Sequence, residues 1–172
     1  MSPRIRARRT YELLFDATAI QKLTEKSEIT EDIREWEYGA YEGLLTAQIR
    51  ARRKEQGLDT ERPWNIWDDG CEGGESPTEV ASRLDRVIAK IKKIQGPSMH
   101  GEKGVDVILI AHGHILRAFA KRWIGFTLGT KLPMMLGSSY FLTKLLFVPT
   151  GISEVGTVSR ACKRFSSSCL SS

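Results

Sequence analysis

The residues of this chain best placed to do chemistry stand at Ala111-His112-Gly113-His114, where an apolar, β-branched run stops and a helical pattern begins. Val105, Val107, Ile108, Leu109 and Ile110 read as a strand buried on both faces, the pattern of a parallel strand covered by helices. Ligands in open α/β sheets collect beyond the carboxyl ends of such strands, and His112 falls at that end. Gly113 lets a backbone or ligand come close, and the next helix aims its free N–H groups at the same point, so the expected occupant is an anion. Arg6, Glu35 and Arg117 are weighed with His112. Singly, an arginine on a helix reads as solvated and a glutamate ahead of an aromatic as a loop contact; His112 is the one whose position alone points to function.

The elements that must position these residues follow from punctuation and periodicity. Ser2-Pro3 is a good helix start, and a helix is expected from there to about Phe15. A second helix is expected to start near Thr46. Ser76-Pro77-Thr78-Glu79 is a capping box, and behind it Val80, Leu84, Val87, Ile88, Ile91 and Ile94 make one apolar stripe, so residues 77–95 are read as an amphipathic helix whose stripe is core. Gly96-Pro97 closes it, and a polar loop through Lys103 precedes the strand at 105–111. His114 to about Phe126 reads as the following helix, with Leu116, Ala120, Trp123 and Ile124 on its apolar face. Between Asp59 and Gly74 the chain is rich in Trp, Gly, Asp and Pro, an irregular excursion that is either functional or packed down by Trp64 and Trp67. After Leu136 the pattern is less regular: an apolar patch at Leu145 to Val148, then a basic, Ser-rich end from Val158 that reads as disordered.

At 172 residues, 41% hydrophobic and 27% charged, the chain suits one globular core. Its three cysteines, Cys71, Cys162 and Cys169, have neither disulfide-framework nor zinc spacing, which fits a reducing compartment. The cytoplasm, with the nucleus as a further possibility, is the expected location. No apolar run of about 18 residues reads as a membrane span. Arg4, Arg6, Arg8 and Arg9 imitate a transit peptide, but a better reading of them follows. A net charge of +5 tolerates polyanions without choosing among them. Arg50, Arg52, Arg53 and Lys54 read as a solvated helix face, and no nucleic-acid motif with interleaved aromatics is present.

Ser2-Pro-Arg-Ile-Arg-Ala-Arg-Arg-Thr10, Ile33-Arg-Glu-Trp-Glu-Tyr-Gly-Ala-Tyr-Glu-Gly43, Gly74-Glu-Ser76 and Ala111-His-Gly-His-Ile-Leu-Arg117 together resemble the ordered motifs of the histidine phosphatase superfamily. The excursion Arg62-Pro-Trp-Asn-Ile-Trp-Asp-Asp-Gly-Cys-Glu-Gly-Gly-Glu75 resembles its fungal sedoheptulose-bisphosphatase branch. The likeness spans Ser2 to Leu136. It implies an α/β fold, the three-layer α/β/α sandwich of the phosphoglycerate mutase-like type, with a domain over 1–136 and a divergent tail over 137–172.

The resemblance also assigns roles. Arg6 would clamp the transferring phosphoryl group, Glu35 would protonate the leaving oxygen and then activate water, and His112 would stabilise charge on the phosphoryl oxygens. Ser2, Tyr38, His114 and Arg117 would hold the substrate's sugar or second phosphate. The physics agrees, because phosphoryl transfer needs fixed positive charge around three oxygens and a carboxyl that cycles a proton. No metal or other cofactor is implied. The family's nucleophile is a histidine in Arg-His-Gly at the end of a first strand. The only histidines here are His100, His112 and His114, none in Arg-His-Gly, and His100 reads as a solvated loop residue. The expectation is therefore a sugar-bisphosphate phosphatase whose 172 residues begin after the first strand and turn over little or no substrate. The alternative is a catalytically dead phospho-ligand binder or regulator, and a homo-oligomer is compatible with either. A basic nucleic-acid-binding module rests on charge alone.

Overall fold

The computed structural model describes residues 1–96 and 106–131, with the backbone of 145–148. The chain forms helices α1 (Ile5–Leu14), α2 (Ala17–Leu23), α3 (Thr46–Glu55), α4 (Ile66–Asp69) and α5 (Pro77–Gln95), then strand β1 (Val107–Ile110), helix α6 (Gly113–Trp123) and strand β2 (Leu145–Val148).

α5 bears out the periodicity. Ser76 donates its N–H to Glu79 Oε2 at 2.8 Å, Glu79 N–H returns to Ser76 Oγ at 3.3 Å, and Pro77 needs no partner at the first position. Val80, Leu84, Val87, Ile88 and Ile91 are buried against α6, each worth about 1.5–3 kcal/mol of burial. Ile94 departs from the stripe: it is exposed, because the helix outruns the core. There it lines, with Val87, Ile91 and β1, a groove of about 580 Å³.

The start of the chain corrects the sequence reading. Ser2 caps nothing; Arg4 occupies the N-cap position and the helix begins at Ile5. Ser2 is fully buried: its N–H bonds the carbonyl of Ile110 at 2.9 Å and its hydroxyl meets His112 at 3.0 Å, while the N–H of Arg4 reaches the same hydroxyl at the longer distance of 3.4 Å.

β1 is also corrected. It pairs antiparallel with β2, from Val107 opposite Val148 to Ile110 opposite Leu145, and is not parallel to its partner. Nor is it buried throughout: Leu109 and Ile110 are buried, whereas Ile108 is 39% exposed. An apolar run reports affinity for the interior but not strand direction. β2 is the apolar patch at Leu145 to Val148. The polar loop to Lys103 lies outside the described residues apart from Gly96, and so does the Ser-rich end from Val158.

α6 starts at Gly113 with His112 at its N-cap and ends at Trp123, short of Phe126. Gly125, at φ +86°, carries the turn that follows, and Ile124 and Phe126 are exposed beyond it.

The excursion over 59–74 is packed down. Trp64 is buried with its indole on the Gly70 carbonyl at 2.9 Å, Arg62 forks onto Asp69, and Asn65 caps α4. The arginine run on α3 is not simply solvated, since Arg53 bonds Asp59 and Tyr41, Arg52 the carbonyl of Ala40, and Arg50 that of Trp64. Among the described residues no helix is long and apolar enough to cross a membrane.

Candidate active site

Glu35 sits in the loop between two short 3-10 turns, Glu31–Ile33 and Gly39–Tyr41. Its Oε1 accepts the amide of Trp36 at 3.0 Å and the amide of Ile115, in the first turn of α6, at 3.1 Å. The N-cap residue His112 makes no side-chain cap bond, so the carboxylate supplies the cap, where the helix dipole favours negative charge. Oε2 takes no hydrogen bond among the described residues. One oxygen is thus anchored by two backbone amides.

A buried network holds that loop in place. Arg83, on α5, forks onto Glu75 through Nε at 2.8 Å and Nη2 at 2.9 Å, and donates to the carbonyls of Asp32, Arg34 and Glu35. Glu75 also accepts from Arg34 and from the Glu37 amide, while its backbone N–H reaches the Glu37 carbonyl and its carbonyl takes the Trp36 indole. All its oxygens are satisfied, which is what a buried ion pair requires. Gly39 and Gly74 let the two chain segments close up: a Cβ on Gly74 would lie 2.1 Å from the Glu37 carbonyl oxygen, and one on Gly39, at φ +53°, 2.3 Å from that of Glu72.

His112 and His114 face the same space from the start of α6. Ser2 Oγ is 3.0 Å from His112 Nε2, and Tyr38 Oη is 2.7 Å from His114 Nδ1. Burial, the largest cause, pushes both imidazoles below their ordinary value. Glu35 opposes the shift at both; Arg6 and Arg4 add to it at His112, and Arg117 at His114. Tyr38 is pushed up, first by burial and then by Glu35. The phenol therefore keeps its proton, and it shares one short hydrogen bond with Nδ1 in which either atom can donate, according to the imidazole tautomer. Trp67 stands 5.7 Å from the His114 ring and 5.7 Å from the Trp36 ring, closing one wall.

The structure thus brings Ser2, Glu35, Tyr38, His112 and His114 together, with Arg6 and Arg117 in electrostatic reach. His100 lies outside the described residues. Sequence reasoning missed Arg4, whose charge acts on His112, although it stands in the same Ser-Pro-Arg-Ile-Arg motif as Arg6. It also missed the Arg83–Glu75 clamp; Glu75 was visible in Gly-Glu-Ser, but Arg83 carried no signal beyond being a charge on the apolar side of α5. Among the described residues no cluster of His, Cys, Asp and Glu is placed to hold a metal ion.

A helix start that presents two imidazoles, with arginines in electrostatic reach, offers the N–H donors and positive charge that suit an anion. The chain belongs to the histidine phosphatase superfamily, branch 1, whose sequence profile matches residues 1–151. Over 125 residues it is 45% identical to the sedoheptulose 1,7-bisphosphatase of Saccharomyces cerevisiae, covering 72% of this chain and 46% of that protein. Over 114 residues it is 34% identical to an acid phosphatase of Mycobacterium tuberculosis, covering 66% of this chain and 46% of that one. The chain spans about half the length of these curated relatives. A solved structure of the Rv3214 open reading frame product of M. tuberculosis superposes with a TM-score of 0.52 at 31% identity, covering 74% of this chain and 54% of the other.

Proposed function

We propose that these residues form the phosphate-holding and acid–base part of a phosphatase acting on a sugar bisphosphate of the sedoheptulose-1,7-bisphosphate kind. The observation that carries the reading is Glu35: a carboxylate anchored through one oxygen at the start of α6, beside two imidazoles whose charged form burial disfavours. The 45% identity to a sedoheptulose bisphosphatase supports the substrate class.

In the reaction of this family a histidine nitrogen attacks phosphorus and the bond from phosphorus to the sugar oxygen breaks. Glu35 gives its proton to that leaving oxygen. Glu35 then takes a proton from water as the water oxygen attacks the phosphohistidine, which frees phosphate and restores both groups. Arg4, Arg6 and His112 offset charge on the transferring oxygens, and Tyr38, His114, Ser2 and Arg117 orient the substrate. None of the three histidines stands in Arg-His-Gly, so these 172 residues are expected to bind the substrate with little or no turnover. The same observation favours a second reading, a phospho-ligand binder that uses the pocket without catalysis.

The purified 172-residue protein should bind sedoheptulose 1,7-bisphosphate, raise its thermal midpoint on doing so, and release no phosphate steadily. Steady release abolished by His112→Ala would overturn the expected inactivity. Absence of any binding, in a protein that melts cooperatively, would overturn the site itself.

A further inference from the structure

We propose that the pocket beyond the Tyr38–His114 pair receives the second phosphate of the substrate, with Arg50 as its main ligand. The inference rests on the sugar-bisphosphate reading and adds to it the residue that distinguishes a bisphosphate from a monophosphate.

A cavity of about 390 Å³ adjoins the site, with Tyr38 and His114 in its wall along with Thr46, Arg50, Trp64 and Trp67. That volume lies within the range of small-molecule sites. Tyr38 and His114 line both it and the cluster around Glu35, so the two spaces share that pair as a wall, past which the substrate would extend. Arg50 is held there from behind: its Nε donates to the Trp64 carbonyl at 3.1 Å. Trp64 is itself fixed, its indole on Gly70 and its ring 5.4 Å from that of Tyr41. The two terminal nitrogens of Arg50 have no hydrogen-bond partner among the described residues. Arg53, three residues on, spends its guanidinium on Asp59 and Tyr41.

A guanidinium anchored at Nε and open at both terminal nitrogens presents a preset fork for two oxygens of one phosphate. Thr46 lies one helical turn earlier, at the spacing that shares a face, and adds a hydroxyl. The carboxylate of Glu42, also in the wall, repels a phosphate and suits sugar hydroxyls, so the pocket is polarised rather than uniformly basic. The rings of Tyr38 and Trp67 offer apolar faces to the carbon chain between.

The test is calorimetric titration of the full chain with sedoheptulose 1,7-bisphosphate and, separately, sedoheptulose 1-phosphate, which lacks the phosphate that would reach Arg50. The unmodified chain should bind the bisphosphate more tightly by about tenfold or more. Arg50→Gln should bring the two affinities together while the monophosphate affinity stays within about twofold. Thr46→Val, which leaves the Arg50–Trp64 bond intact, should show a smaller loss confined to the bisphosphate. Equal weakening of both ligands by Arg50→Gln, or weakening of neither, overturns the proposal. If the folded, unmodified chain binds neither ligand, the sugar-phosphate reading fails and this inference fails with it. If Arg6→Ala abolishes monophosphate binding while Arg50→Gln leaves the preference for the bisphosphate intact, the reading stands and the Arg50 subsite alone is wrong.

Discussion

Glu35 caps the helix that carries both histidines: its Oε1 accepts the amide of Ile115, 80 residues further along the chain, at 3.1 Å. The Glu35 carboxylate is thereby tied to the helix start that carries the two imidazoles. Glu35→Ala should lower stability by about 1 kcal/mol, the worth of an N-cap, measured by urea denaturation. In Glu35→Gln, where an acceptor oxygen remains, the loss should be smaller. The titrations of His112 and His114, followed by NMR of the ring protons, should both move to still lower pH, because Glu35 is the group that raises them. An unchanged titration would mean that Glu35 does not act on the two rings.

The Glu75–Arg83 pair predicts a large effect from a residue that touches no substrate. Arg83→Met would leave a buried carboxylate held only by Arg34 and the Glu37 amide and would strip three backbone carbonyls of their donor, so the expected cost is about 3–5 kcal/mol. Removing Glu75 as well should restore only part of the loss, since the carbonyls of Asp32, Arg34 and Glu35 stay unpaired. Full recovery in the double variant would show that the clamp on the Glu35 loop contributes nothing.

Gly74→Ala tests the close approach of the two segments. The added Cβ would meet a backbone carbonyl at 2.1 Å, and no rotamer relieves a backbone clash. The expected outcome is a cost of several kcal/mol or loss of the cooperative transition, where an ordinary surface substitution stays within about 0.5 kcal/mol. A thermal midpoint equal to that of the unmodified chain would contradict the packing of Gly74 on Glu37.

The two depressed imidazoles fix the sign of a pH dependence. Each binds a proton less readily folded than unfolded, so its contribution to stability is fully present above its ordinary value of 6.5 and is lost as pH falls through its lower folded value. The thermal midpoint should therefore drop as pH is taken below about 6.5, and should drop less in His114→Asn. Sedoheptulose 1,7-bisphosphate should reduce the drop, because a bound anion favours the charged rings. A midpoint that rises on acidification would contradict the burial of these histidines.

Much of this was legible in residue order, and the misses have definite causes. α5 was readable because a capping box and a stripe of aliphatic residues report the same helix independently. His112 was readable because a buried run ending in His-Gly marks a strand end. Strand direction was not, since alternation and burial carry no information about the partner's polarity. Ser2 misled because its amide bonds Ile110 and its hydroxyl lies closest to His112, both more than 100 positions away, and these contacts hold it short of the N-cap position. Arg50 and Arg53 looked like a solvated face because their partners, the Trp64 carbonyl, Asp59 and Tyr41, reach them only through the folded excursion and the preceding turn. Glu35 became a candidate through the family resemblance; its bond to the Ile115 amide exists only in the folded chain.

The most direct test of the account is an NMR titration of the folded chain with sedoheptulose 1,7-bisphosphate, following the Ile115 amide and the rings of His112 and His114 together. The account predicts saturable shifts at all three with one dissociation constant, an upward move of both imidazole titrations, and loss of these effects in Arg6→Ala. Binding that leaves Ile115, His112 and His114 unshifted would place the phosphate elsewhere and contradict the site described.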